Sequence, residues 1–253
     1  FALWGSKSRE LILCRDPLGV KPLLRTITPS GKLLVSSEAK AFCHHPEYEP
    51  KIDENALLAR LAFEYSLDET TLFEGVSQVA PGTIETWTLD DLGRATLTGV
   101  TSYSRDIVAP SDKWNPTTNA KQLLDSLCVG IEDRLMSDVP VGIILSGGLD
   151  SSLIAYELNK IMPPALTFTN EMNPNVVTDE DFNSDAKAAK QIATKENFDH
   201  NVVIFTPDDI IKIWDEAIYY MEQPMYNQSI AMYCHTNRVL HNHGVVVTMA
   251  GDM

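Results

Sequence analysis

Positive charge is scarce in this chain, with 20 Lys and Arg against 35 Asp and Glu and a net charge of −15. Nucleic-acid binding by counterion release needs clustered basic residues. No such stripe exists, and a stretch such as KSRELILCR at 7–15 is too sparse to serve. Cysteine is equally thin. Cys14, Cys43, Cys128 and Cys234 form no C-x-x-C pair and no metal-ligand spacing, so they are expected to be buried free thiols of a reducing compartment. No apolar run approaches the ~18 residues that span a bilayer, and no signal-peptide pattern is present. The expectation is a cytoplasmic protein with neither a membrane nor a nucleic acid as partner. G-x-x-x-x-G-K-[ST] and G-x-G-x-x-G are both missing, which excludes a Walker loop and a dinucleotide fingerprint. Internal repeats and low-complexity tracts are absent too.

What remains is the composition of a globular protein, 253 residues with 44% hydrophobic and 22% charged, enough for one large or two modest domains. The chain opens at Phe1 within a β-rich run and closes at Met253 directly after MAGD. Both ends are read as cut.

Residues 1–104 read as α+β and mostly antiparallel. FALWG, ELILCRD, KPLLRTI and KLLVSS are β-rich runs separated by turn formers at hairpin spacing. SSEAKAFCHH and DENALLARLAFEY look helical, the second capped by Asp53 and carrying an apolar stripe of Ala56, Leu57, Leu61 and Phe63. PGTIETWTL and GRATLTGV suggest a hairpin across DDLG. Residues 105–118 mix turn formers without a period and read as a linker.

From 119 the grammar changes. Leu123, Leu127, Ile131 and Leu135 recur every fourth residue after a cap at Asn119 with Gln122 three on. Then strands near 140–145, 165–170, 200–205 and 245–250 alternate with helices near 151–161, 185–196, 208–221 and 228–242, with Gly244 as a C-terminal cap. Alternation of this kind with fully apolar strands predicts a parallel sheet covered on both faces.

In such sheets ligands bind beyond the carboxyl ends of the strands. Two loops at that position contain glycine, SGGLDSS at 146–152 and AGD at 250–252. Glycines let backbone N–H groups converge on an anion, and a helix starting near Ser151 adds its positive end. Ser146, Ser151 and Ser152 can donate hydroxyl hydrogens. Asp150 would repel a phosphate unless it holds a Mg²⁺ that bridges to it. With no lysine to reach a γ-phosphate, the loop suits pyrophosphate leaving from the α-phosphate of ATP.

Against these residues a family resemblance emerges. RLMSDVPVGIILSGGLDSSLIA resembles the ATP-pyrophosphatase loop of glutamine-hydrolysing asparagine synthetases, and DHNVVIFTPDD, MEQP and VVVTMAGD continue the likeness. LILCRDPLGVKPLL, LLVSSEAKAF and TLFEGVSQVAPGT resemble the later part of the same family's glutaminase domain, in the same order. The loop alone is shared with other ATP pyrophosphatases; its pairing with RDPLGVKPL and SSEAKA is more specific. The resemblance implies the antiparallel sheet of a partial N-terminal-nucleophile-type glutaminase domain over 1–104. It implies a partial adenine-nucleotide α-hydrolase-like domain over 119–253.

By that resemblance, an N-terminal cysteine would release ammonia from glutamine, and the second domain would adenylate aspartate so that ammonia displaces AMP and leaves asparagine. ATP, Mg²⁺, aspartate and glutamine or ammonia are the implied cofactors and substrates; a homodimer is compatible with it. Ser146, Gly147, Gly148, Asp150 and Ser151 match the pyrophosphate loop, with Asp150 facing metal. Ile144, Asn170, Ala250 and Gly251 match positions lining the adenosine. Asp252 falls where the family has an acid that orders the reacting groups. Two departures stand out: Ala250 replaces a common serine, and Asn170 replaces a typically apolar residue. The glutaminase nucleophile and glutamine-binding residues are expected to precede Phe1, so residues 1–253 alone are expected neither to hydrolyse glutamine nor to make asparagine. An amidating or β-lactam-forming ligase acting on another carboxylate, and a degenerate nucleotide-binding protein, remain alternatives.

Other signals have plainer readings. Arg15 and Asp16 are expected to order a strand end, and Ser37 and Glu38 to be structural. His44–His45 and His241-x-His243 lack ligand partners at metal spacing. The acidic run TDEDFNSD at 178–185 reads as a loop capping the next helix, with a substrate or Mg²⁺ pocket as the rival. MEQPMYNQS, broken by Pro224, is balanced between a kink and an acceptor-carboxylate pocket.

Overall fold

A computed structural model describes residues 1–66, 68–103, 115–173, 175–176, 183–222 and 229–251. The chain divides into two units, 1–110 with 221–226, and 111–220 with 227–253.

The first unit is built from antiparallel strands. β1 (Ala2–Gly5), β2 (Glu10–Cys14), β6 (Thr83–Leu89) and β7 (Ala95–Ser102) form one sheet in the order β1-β2-β6-β7. β3 (Leu24–Ile27), β4 (Leu33–Ser36) and β5 (Ser77–Gln78) form a second in the order β4-β3-β5. The β6–β7 hairpin turns across DDLG as expected. Asp90 Oδ1 accepts from the Leu92 and Arg94 amides, both at 2.9 Å, and Gly93 takes φ 76°. Leu13, Leu23, Val79 and Trp87 make one core, and Leu24, Ala39, Phe42 and Val76 another.

Two helical segments follow their sequence signals in part. SSEAKAFCHH forms a 3-10 helix, Ala39–His44, whose buried residues Ala39 and Phe42 are three apart, the repeat of that helix. α1 (Glu54–Phe63) is capped by Asp53, which accepts from Asn55 N at 2.9 Å and Ala56 N at 3.0 Å. Its expected apolar stripe does not pack. Of the four residues only Ala56 is buried, while Leu61 is 73% and Phe63 52% exposed. One turn on from Ala56 lies Arg60, so the inward face is small and polar, and Leu57 and Leu61 sit ~100° round the helix.

The N-terminus of the 3-10 helix receives an acid from far along the sequence. Glu222, which belongs to this unit, accepts from the Ala39 and Lys40 amides, both at 2.7 Å, and from Lys40 Nζ at 3.1 Å. A carboxylate there meets free N–H groups and the positive helix end. No local pattern announces so distant a cap.

In the second unit α2 (Pro116–Arg134) begins earlier than its leucine repeat suggests. Asn115, not Asn119, is the cap: Asn115 Oδ1 accepts from Thr118 N at 3.0 Å, and Asn119 Oδ1 in turn accepts from Asn115 N at 2.8 Å. Pro116 suits the first turn, where its missing N–H has no partner to lose. Residues 116–118 therefore belong to the helix and not to a linker; 105–114 lie outside the described residues.

β8 (Val141–Ile144), α3 (Leu149–Ile161), β9 (Leu166–Met172), α4 (Ser184–Glu196), β10 (Asp199–Phe205), α5 (Pro207–Met221), α6 (Ser229–Asn242) and β11 (Val247–Met249) complete the unit. All four strands are parallel, in the order β10-β9-β8-β11. Alternation along β8 divides the core. Val141, Ile143 and Leu145 meet α2, α3 and α4 through Ile131, Ala155, Leu158, Ala189 and Ala193, whereas Ile144 packs with Phe168, Val203 and Leu240 on the other face. An antiparallel α+β unit is thus followed by a parallel α/β unit, as the sequence indicates. No helix of the described residues is long and apolar enough to cross a membrane.

The four cysteines are free, but none is buried: Cys43 is exposed and the others half-buried. Three of them sit on short elements or helix flanks that the core does not close over.

His200 on β10 gives a pH test of this packing. Its Nδ1 lies 2.9 Å from Thr167 Oγ1, and its Nε2 is buried with no partner among the described residues. Burial, and then the nearby Lys190 charge, lower its pKa below the usual 6.5. The unfolded chain therefore takes up the proton more readily. Stability is intact above pH 6.5 and declines as pH falls from there to the folded pKa. Thermal unfolding of wild type between pH 7.5 and 5.5 should show this decline, and His200→Gln should flatten it by less than about 1 kcal/mol per pH unit, since solvent reaches part of the ring.

Candidate functional site

Strand order places the site. β9 and β10 extend the sheet from one edge of β8, and β11 adds to the other, so β8 and β11 flank the point where the winding reverses. Crevices in open parallel sheets lie at that point, beyond the carboxyl ends. Both glycine-containing loops leave from these two strands.

The turn after β8 is held by its own hydroxyls. Ser146 Oγ and Ser151 Oγ are 2.9 Å apart, Ser146 N donates to Ser151 Oγ at 3.3 Å, and Gly148 N donates to Ser146 Oγ at 3.3 Å. When Ser151 gives its hydrogen to Ser146, at the expense of its 3.4 Å bond to the Gly148 carbonyl, the Ser146 hydrogen is left to turn toward an anion. Ser152 Oγ is buried and has no partner among the described residues. α3 starts at Gly148 with no side-chain cap, unlike α1 and α2. Its first N–H groups and positive end are thus available at the turn.

Glycine is required at two places. Gly147 takes φ 79°, and a methyl group there would sit 2.7 Å from Ala188 Cβ and 2.8 Å from Ala189 N. At Gly251 a methyl would lie 2.5 Å from Ser151 N and 3.0 Å from Asp150 Cβ. The second loop is thereby pressed against the first turn of α3.

A cavity of about 310 Å³ opens beside these loops. Of the residues expected to bind nucleotide, Ile144, Ser146, Ser151, Asn170 and Gly251 line it. Gly147, Gly148, Asp150 and Ala250 do not; they belong to the bordering turn and strand end, where Asp150 and Ala250 are exposed. Asp252 lies outside the described residues, as do 178–182 and 223–228, which include Pro224.

Sequence reasoning missed the apolar wall of Met172, Phe205, Ile210, Met232 and Tyr233. These come from four elements, β9, β10, α5 and α6, whose apolar residues read simply as core. Asp185 also lines the cavity. It was legible only as the end of an acidic run assigned to capping; most of that run, 178–182, lies outside the described residues, and Asn183 at the cap position brackets the Met172 backbone, with bonds of 2.8 and 2.9 Å, rather than bonding the α4 amides. Among the described residues no cluster of three or more His, Cys, Asp or Glu could hold a metal ion alone.

In the first unit, Arg15 and Asp16 organise the PLGVK turn. Arg15 donates to the carbonyls of Lys21, Val79 and Gly19 at 3.1, 2.8 and 2.9 Å. Asp16 accepts from the amides of Val20 and Lys21 at 2.9 Å, and these bonds, led by that of Lys21, lower its pKa. Every one of these bonds is to backbone, so the pair is structural. Glu38 pairs with Lys40 at 2.9 Å.

A hydroxyl-lined turn and an uncapped helix beside an apolar slot, at the reversal point of a parallel sheet, make the second unit an open α/β fold with a crevice at its switch point. Comparison with known proteins carries this further. The asparagine synthase family model matches residues 122–253, and a glutamine amidotransferase domain model matches 1–96. The chain belongs to the asparagine synthase family.

It is 28% identical over 272 residues to a glutamine-hydrolyzing asparagine synthetase of Mus musculus, a match covering all of this chain and 43% of the relative. A corresponding synthetase of Bacillus subtilis (strain 168) is 26% identical over 226 residues, 89% of this chain and 33% of the relative. The solved U34-tRNA thiolase NcsA of Methanococcus maripaludis aligns with 55% of this chain and 47% of its own, at 20% identity and a TM-score of 0.38. The chain spans 38–43% of the length of the curated relatives that it matches from end to end.

Proposed function

We propose that this chain carries the nucleotide-binding part of an asparagine synthetase, together with part of its glutaminase domain, with 1–104 and 119–253 as the two domain portions. The observation that carries the reading is the Ser146–Ser151 turn with its uncapped helix, set at the mouth of the cavity lined by Ile144, Asn170 and Gly251.

A carboxylate is a poor electrophile. Attack by the aspartate side-chain carboxylate on the α-phosphate of ATP forms β-aspartyl-AMP and expels pyrophosphate; ammonia from glutamine then displaces AMP. The protein's task is to bind the departing pyrophosphate as its charge develops, using N–H groups and hydroxyls that are already in place. Ser146, Ser151 and the free amides at the start of α3 would supply these donors. Gly147 and Gly251 let the two loops close. Asp150, exposed at the first turn, would hold Mg²⁺ together with phosphate oxygens. A single carboxylate fits an ion that keeps several waters and borrows phosphate ligands, and that ion would neutralise the leaving group. Asp252 is assigned the ordering of the reacting groups.

The full-length protein should release pyrophosphate from ATP only when aspartate is present, and hydroxylamine should trap the activated aspartate as its hydroxamate. Release dependent on a different carboxylate would reassign the acceptor. No release with any carboxylate would defeat the ligase reading.

A further inference from the structure

Asn170 is an amide in an otherwise apolar stretch of the cavity wall. It follows Phe168 on the same face of β9 and precedes Met172, and with Ile144, Phe205, Met232 and Tyr233 it lines the slot. Its side chain does not hang free. Thr236, on α6 and 1% exposed, places its Oγ1 2.6 Å from Asn170 Oδ1 and 2.8 Å from the Met232 carbonyl. A threonine hydroxyl has one hydrogen to give. The Met232 carbonyl lies in a helix and has the backbone N–H four residues on, whereas Asn170 Oδ1 has no other donor among the described residues. The hydroxyl hydrogen therefore goes to Asn170. With its oxygen committed to Thr236, the amide keeps Nδ2 and its two hydrogens without a partner among the described residues, at a position that lines the cavity.

We propose that Asn170 is a base-specificity residue, its Nδ2 donating to N1 of adenine and its orientation fixed by Thr236. This rests on the nucleotide reading given above. N1 is the ring nitrogen that distinguishes the purines: an acceptor in adenine, but an N–H in hypoxanthine and guanine. A donor held toward N1 meets a lone pair in ATP and a second donor in ITP or GTP. Inside an apolar slot, the unmatched donor is left without a partner and without water, and a site built to hydrogen-bond its ligand rejects the analogue that cannot respond. An apolar residue at this position would leave the discrimination to other groups. Thr236 is a positioning residue, acting only through the amide.

Nucleotide binding to the full-length protein, followed by calorimetry, and pyrophosphate release test this with four probes: ATP, ITP, 1-deaza-ATP and 7-deaza-ATP. Wild type should bind ITP and 1-deaza-ATP about 10- to 100-fold more weakly than ATP, and 7-deaza-ATP equally well. In Asn170→Leu the ATP/1-deaza-ATP ratio should fall close to one, with the change in KM for nucleotide and kcat little altered. Thr236→Val should lower the same ratio partway. The wild-type series stands even if a variant fails to fold. Tight ATP binding with 1-deaza-ATP bound equally well, or discrimination against 7-deaza-ATP instead, would overturn the role of Asn170 and leave the nucleotide site intact. No ATP binding by wild type would overturn both.

Discussion

Replacing Gly147 with alanine should reduce aspartate-dependent pyrophosphate release by the full-length protein at least about 100-fold and destabilise the chain by about 2–4 kcal/mol. Two effects add. The backbone at φ 79° disfavours any Cβ, and the new methyl would lie 2.7 Å from Ala188 Cβ, 2.8 Å from Ala189 N and 3.0 Å from the Asp185 carbonyl. Ala189 is fully buried, so α4 has no room to retreat. The turn must move instead, which parts Ser146 from Ser151 and shifts the N–H groups assigned above, by proposal, to the departing phosphates. Gly93→Ala separates the two effects. Gly93 has nearly the same φ, 76°, but nothing lies within 4 Å of the added methyl. It should lose about 1 kcal/mol and keep full turnover. Urea unfolding and pyrophosphate release on both variants provide the comparison; equal losses in the two would show that the contact with α4 is immaterial.

Arg25→Met should destabilise the first unit by about 3–5 kcal/mol, read as a fall in the urea midpoint. Arg25 meets Glu85 through two parallel bonds, Nε to Oε2 at 2.7 Å and Nη2 to Oε1 at 2.9 Å, and Trp87 Nε1 adds a third at 2.9 Å. Glu85 is 4% exposed and Trp87 3%. The guanidinium also lies 5.4 Å from the indole centroid. Without Arg25 a carboxylate remains inside with one neutral donor, and the loss reflects that stranded charge more than the worth of the pair. Adding Glu85→Gln to Arg25→Met should therefore recover part of the stability. If the double variant is less stable than the single one, the stranded-charge account is wrong.

The β/α alternation after residue 119 was legible because each strand is a short apolar run bounded by turn formers, and each helix has its own period. The SGGLDSS turn was legible because its chemistry is contiguous: glycines, hydroxyls and an acid within seven residues. The first unit was less so. Its helix α1 carries leucines that imitate a buried stripe, while the true inward face is Ala56 and Arg60, a pairing hydrophobicity alone does not mark. The cavity's apolar wall escaped notice for the opposite reason. Met172, Phe205, Ile210 and Met232 look like core on their own elements, and only the sheet order brings them to one place. Asn170 was visible as a departure from the family pattern, but its tether was not, since Thr236 lies in a distant helix.

The sheet order also has a consequence for how the molecule is made. One wall of the cradle is the turn that follows β8; the other, at Gly251, arrives with β11, after four helices and two strands have left the ribosome. The hydroxyl-bearing turn must therefore wait, half built, while the intervening chain is synthesised. On the proposed reading, the two loops of the nucleotide site meet only once β11 has threaded in beside β8.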